Sequence, residues 1–441
     1  MHAAERRLRK ALKPAAAALP LARRAAESDA PEVRQLAAVL LRRRVVGHYE
    51  QLAAADRDAL KALVLHRLVA EPHAPPRRAL AAVASALGAE LLPADGGWPE
   101  LLRFLSDAAQ APTAEHREVA MLVLAELFES PATVAVFRPH LPATVGVLRA
   151  GLADPLAPQV RTASLRAVGA LATSLLDAEG DAGPGALKLL LPAALDVAAD
   201  CVRAAAAGGG AARAAGVNDD ELRRTLAAAF EMVGEVVESG PSALVRANLA
   251  AIAGASLELA HATSAEVDVR AHGFHALTSL CEAKSKLLQR DDALVQRLVQ
   301  LGAAAVGELD EDEDEDVDAD VPAAAAGGEE EDERESVRSL GCALLDTLGC
   351  ALPAKAYLHH VDAVLHALAA RPDEASWRSA CTVLAMVVEG CAERLAERKG
   401  GAARLDGYVR LLCAACAHAS PRVRADAALG LGEMARHVPC L

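Results

Sequence analysis

Aromatic side chains make up only 2% of this 441-residue chain. Runs of β-branched and aromatic residues, the material of strands, are correspondingly scarce. Alanine and leucine dominate instead, and both are strong helix formers. An all-α chain follows. The apolar share is 53%, yet no stretch approaches the roughly 18 consecutive apolar residues of a membrane span. Apolar runs such as Met121–Phe128 and Thr382–Val388 are short and bounded by charge, as buried core helices are. The N-terminus lacks an apolar signal-peptide core. The nine cysteines are scattered singly through helical stretches. They read as small core residues in a reducing compartment and not as a disulfide framework.

Signatures of chemistry are equally thin. The glycine clusters Gly180–Gly185 and Ala207–Gly210 lack the Gly-Lys-Ser/Thr that reaches phosphate and magnesium, so they read as loops. No Ser/His/Asp or Cys/His constellation carries a local signature. Cys413-Ala414-Ala415-Cys416 has redox or zinc spacing, but it has neither a second ligand pair nor a βαβ context, and it reads as core packing. His272 with His275, and His359 with His360, have no further ligands nearby in sequence. The expectation is no enzyme, no catalytic residue, no cofactor and no metal.

Against these absences stands one periodic signal. Arg34, Arg78, Arg117, Arg161, Arg224, Arg270, Arg338, Arg378 and Arg424 are each followed three residues later by a small residue, from Ala37 to Ala427. Six of the eight intervals run from 39 to 46 residues; the others are 63 (Arg161 to Arg224) and 68 (Arg270 to Arg338). A period of about 40–47 residues is that of helical-pair repeats. The chain therefore reads as an α-solenoid of HEAT-type helical-pair repeats, about nine to ten of them, and the long intervals as insertions. Arginine and small residue share one edge of the second helix. The arginine is expected to bridge to an adjacent repeat, and the small residue to let that repeat approach. Pro31, Pro158 and Pro421 mark starts of second helices. A solenoid is first of all a binding surface.

Charge is concentrated as strongly. The net charge is −14, and between Glu308 and Glu335 sixteen acids stand against the single base Arg334. A block this dense repels itself and buries no core. The run that includes Asp310, Glu311, Asp312, Glu313, Asp314, Glu315 and Asp316 lacks the glycine turn and spaced ligands of a calcium loop. It reads as an electrostatic arm for a basic partner, inserted as a loop in one repeat. At the other end, residues 1–48 hold eleven bases and four acids, and Arg42-Arg43-Arg44 closes the first ladder helix. Cations there oppose the negative end of the helix dipole. Without interleaved aromatics the patch argues against direct nucleic-acid binding.

Four segments are expected: N-terminal repeats over 1–130, central repeats over 131–307 with a glycine-rich loop at 177–218, the acidic loop at 308–335, and further repeats over 336–441.

Three stretches carry a family resemblance. Pro31-Glu32-Val33-Arg34-Gln35-Leu36-Ala37-Ala38-Val39-Leu40-Leu41-Arg42-Arg43-Arg44 resembles the first-repeat motif of importin-β (karyopherin-β) nuclear transport receptors, most of all their importin-4-like members. Trp98-Pro99-Glu100-Leu101-Leu102 is similar to the family's tryptophan-proline helix start, and Ala283-Lys284-Ser285-Lys286 before an acidic insert follows the same pattern. The resemblance implies the N-terminal portion of a longer receptor that begins within its first helix and stops after a ladder helix. It implies a monomeric importer shuttling between cytoplasm and nucleus with no membrane insertion. Its expected partners are basic cargo such as histones and ribosomal proteins, phenylalanine-glycine nucleoporins, and Ran-GTP. Ran-GTP would lie on the second helices around 31–44, 76–88 and 115–128, with Arg42, Arg43 and Arg44 as candidate contacts. The competing reading is a HEAT-repeat scaffold outside transport, such as a phosphatase regulatory subunit or a coat-like adaptor.

Overall fold

The computed structural model describes residues 17–94, 97–176, 182–208, 219–308, 335–396 and 401–438, and every regular element among them is helical. Two compact units divide the chain, Met1–Ala198 and Ala199–Leu441.

The first unit is a row of helical pairs: α1 (Ala18–Glu27) with α2 (Pro31–His48), α3 (Ala54–Ala70) with α4 (Ala74–Leu91), and α5 (Pro99–Ala109) with α6 (Ala114–Phe128). A fourth pair follows, whose first member is broken into α7 (Pro131–Phe137) and α8 (Leu141–Leu152) before α9 (Pro158–Leu176). The second helices α2, α4, α6 and α9 pack serially against one another. Prolines open α2 and α9 at positions where the missing N–H has no intrahelical partner to lose. Because α6 is flanked on both sides and covered by α5, it buries Val119, Ala120, Met121, Val123, Leu124, Leu127 and Phe128. That explains an apolar run with no polar face. Each large side chain so buried contributes about 1.5–3 kcal/mol.

In the second unit the second helices are α11 (Asp219–Ser239), α13 (Val267–Leu288), α15 (Val337–Ala351), α17 (Glu374–Leu395) and α19 (Pro421–His437). The first helices are α12 (Ser242–Ala260), α14 (Asp292–Val306), α16 (Ala354–Ala369) and α18 (Gly401–Cys416). Helix α10 (Ala182–Ala206) occupies most of the span 177–218 expected as a glycine-rich loop and takes in Gly183 and Gly185, so that expectation is corrected there. Helix α12 is long and apolar enough to cross a membrane. It nevertheless buries Leu244, Val245, Ile252, Leu257 and Leu259 against the protein, as a core helix does.

The small residues of the ladder have a different neighbour from the one expected. A Cβ on Gly273 would stand 2.6 Å from Ser256 O and 2.8 Å from Ala260 N, both on α12. On Gly341 it would stand 2.9 Å from Gly302 O, on α14. The approach is therefore between the two helices of one repeat, and not between repeats. Ala37, Ala81, Ala120, Ser164, Cys381 and Ala427 are also buried, whereas Ala227 is only half-buried.

The cysteines divide. Cys201, Cys281, Cys381 and Cys391 are buried, but Cys413 and Cys350 are exposed and Cys416 and Cys342 half-buried. The expectation that Cys413 packs in the core is corrected: it lies on the solvent side of α18, where Leu412 and Ala415 take the core positions.

Candidate functional site

The ladder arginines act where one repeat meets the next. Buried Arg34 on α2 donates from Nε and Nη2 to the two carboxylate oxygens of Glu71 at 2.7 Å each, and Glu71 sits just beyond α3. Its Nη1 also donates to the carbonyls of Ser28 and Asp29, six and five residues upstream. Arg117 repeats the arrangement with Asp154 (2.8 Å) and the carbonyls of Ala111 and Pro112. Arg270 holds Glu308 with two 2.7 Å bonds and donates to Ala260 O. Arg378 reaches Asp426 at 2.8 Å, and Arg338 reaches Val306 O and the Thr382 hydroxyl. Arg424 holds the carbonyls of His418 and Ala419, and Arg161 lies half-buried on α9.

Two rungs are not where the spacing puts them. In α4 it is Arg77, buried, that donates to the carbonyls of Glu71 and Pro72 and to Glu118 at 3.2 Å; Arg78 is half-buried beside it, 3.4 Å from the same carboxylate. In α11 Arg224 is exposed and donates to Asp220 O, while Arg223 makes the ion pair to the next repeat, with Glu266.

Burial alone would raise the Glu71 carboxyl. Hydrogen bonds from Arg34 and Arg67 and from the His73 backbone N–H overcome that and hold it at about 2. Asp154 is held low in the same way by Arg117 and by the backbone N–H groups of Leu156 and Ala157, against the effect of its burial.

Contrary to expectation the three candidate arginines do not close α2, which runs on past them to His48, and they differ from one another. Arg42 donates from Nη2 to Glu126 Oε2 at 3.1 Å, linking α2 to α6. Arg43 is exposed and Arg44 half-buried. Further along, burial and the Glu126 carboxylate push the Glu129 carboxyl up, while Arg166 and Arg42 pull the other way. The second-helix ends thus carry closely spaced charge of both signs. Sequence reasoning missed the apolar element of this surface: Val33, Leu36 and Val39 on α2 are exposed, Leu36 by 56%. Their i, i+3, i+6 spacing was visible, but nothing in it distinguished an open face from a covered one.

The acidic run Asp310–Asp316 lies outside the described residues, but Glu308 and Glu335, the first and last acids of the charged segment, are within them. Glu308 is held by Arg270, and Glu335 Oε1 lies 3.2 Å from His275 Nε2. Arg270 and His275 are both on α13, so the segment leaves and returns beside one helix. Ser336 then caps α15, accepting from the Ser339 N–H while the Ser339 hydroxyl accepts from its own. His272 next to it has its pKa lowered by burial and by His275.

The family model described as IPO5-like, TPR repeats matches residues 72–209. No curated protein sequence matches the chain. Solved structures do. Kap121p is similar over 96% of this chain at 19% identity and a TM-score of 0.73. Kap121p bound to RanGTP gives 19% and 0.72, and Kap121p bound to Nup53p gives 18% and 0.72, each over 96%. This chain spans 37% of the length of those proteins. The fold is the helical-repeat solenoid of the karyopherin Kap121p.

Proposed function

We propose that the chain serves in nuclear import. It takes up basic cargo of the histone or ribosomal-protein type in the cytoplasm, passes the pore on phenylalanine-glycine nucleoporins, and releases cargo when Ran-GTP binds. The observation that carries this reading is the fold match to Kap121p across nearly the whole chain, joined to the IPO5-like match over 72–209. Kap121p has been solved with RanGTP, with Nup53p and with Pho4p. An importin-4-like placement rests on the α2 motif and the acidic insert together.

The Ran contact is proposed for the second-helix face of α2, α4 and α6. Arg43 offers an exposed charge there, about two turns along α2 from exposed Leu36, and Arg42 supplies a second charge by releasing Glu126. An exposed ion pair of this kind is worth about 0–1 kcal/mol, so a partner's carboxylate replaces Glu126 at little cost. The acidic run from Asp310 to Asp316 is proposed as the arm that engages basic cargo through long-range, salt-screened attraction. The deciding experiment is capture of Ran loaded with GTP or with GDP by the whole chain and by Arg43→Glu. Capture selective for the GTP form and weakened by the substitution is expected. Equal capture of both forms, or none, overturns the reading.

A further inference from the structure

We propose that Asp292, His359 and His360 form a binding site for a late first-row divalent cation, zinc above all, that ties α14 to α16. Asp292 opens α14, and the two histidines are adjacent on α16. His359 Nε2 lies 3.2 Å and His360 Nε2 3.0 Å from the same atom, Asp292 Oδ1. All three ligand atoms fall within 4.8 Å of one another. Among the described residues this is the one place where three such groups converge.

The spacings suit a metal. Zinc bonds to nitrogen and carboxylate oxygen at about 2.0–2.2 Å, so the edges of its tetrahedron measure about 3.3–3.5 Å. The Oδ1–Nε2 separations need to open by only a few tenths of an ångström. Two imidazoles and one carboxylate suit zinc, nickel or copper better than magnesium or calcium, which prefer all-oxygen shells. The three protein ligands leave at least one position for water, and the outer side is open: Asp292 and His359 are exposed while His360 is buried. Gln296, one turn after Asp292, and Gln300 line a cleft with His360, placing neutral polar groups at its edge.

Such a cation joins the first helices of two successive repeats. Helix α14 ends at Val306, just before the acidic segment, and α16 begins after α15 on its far side. The metal therefore braces the repeat that carries that segment against the repeat that follows it. Without metal the same groups form a hydrogen-bonded clasp, with both imidazoles donating to one carboxylate oxygen, which is why the ligand atoms are already assembled.

The test is calorimetric titration of the metal-free whole chain with Zn2+, and with Co2+ for its visible spectrum. One equivalent is expected to bind. Asp292→Asn and His359→Ala, both at exposed positions, should each weaken it by more than the about 10–100-fold that follows loss of an outer-shell partner. Deleting 309–334, which removes the competing carboxylates, should leave that affinity unchanged. The Co2+ complex should lack a thiolate charge-transfer band. Absence of binding, equal binding by the variants, loss of binding with 309–334, or a thiolate band would each overturn the proposal.

Discussion

Arg270 grips Glu308 from both sides of its guanidinium, Nη1 to Oε2 and Nη2 to Oε1, each at 2.7 Å. The first acid of the charged block therefore belongs to the ladder and not to the arm. Deleting 309–334 while keeping Glu308 should leave the urea midpoint of the second unit unchanged. Glu308→Gln in the whole chain should lower the midpoint, reflecting a loss of about 1–3 kcal/mol of stability, because buried Arg270 loses its charged acceptor. Equal midpoints for Glu308→Gln and the parent would sink the assignment.

The same deletion separates the arm from the scaffold in binding. A basic histone-tail peptide should bind the parent with an affinity that falls steeply as salt rises, and the chain lacking 309–334 more weakly and with a flatter dependence. Titration by fluorescence anisotropy at several salt concentrations reads both quantities. Unchanged affinity and slope would make the segment a spacer.

Glu71 gives a pH signature. Its carboxyl sits at about 2 in the folded chain against an ordinary 4.5, so its contribution is present above about pH 4.5 and is lost as pH falls towards 2. On the order of 3 kcal/mol rides on that window. Unfolding of the first unit followed from pH 6 to 3 should show the loss, and Glu71→Gln should flatten it while lowering stability at neutral pH. Because Arg34 would remain buried and unpaired, that neutral-pH loss is expected near 3–5 kcal/mol.

Two glycines distinguish packing from helix propensity. Gly273→Ala drives a methyl into the α12 backbone and should destabilise the second unit clearly, with local opening seen by hydrogen exchange in α12 and α13. Gly254→Ala, within α12 and with nothing within 4 Å of the new carbon, should instead stabilise by about 0.5–1 kcal/mol. If both changes moved stability the same way, the close approach at Gly273 would be refuted.

What the sequence revealed was whatever repeats. The ladder was readable because Arg34, Arg117 and Arg270 recur in the same arrangement at the repeat period, and the proline starts of α2, α9 and α19 followed from local chemistry. Where two arginines stand together, period alone could not choose: at Arg77-Arg78 and Arg223-Arg224 the decision falls to which side chain reaches the neighbouring repeat or the upstream carbonyls. The ladder's acids, Glu71, Asp154 and Glu308, were invisible because nothing local separates a bridging carboxylate from a solvated one. Asp292 stands 67 residues from His359, so only folding could supply the third group that the histidine pair lacked.

The arginine contacts also have a direction. Arg34, Arg117, Arg270 and Arg378 each bond forward to an acid of the following repeat, and the first three also reach back or inward within their own. A repeat is in this sense a part with a plug at one end and a socket at the other. Duplicating or excising one whole repeat, from just before one acid to just before the acid of the following repeat, keeps every plug matched to a socket, whereas a shorter excision that takes an acid without the arginine that follows it strands a partner. Such chains can change length by whole units at a single genetic event, and chimeras joined at these turns should inherit intact joints.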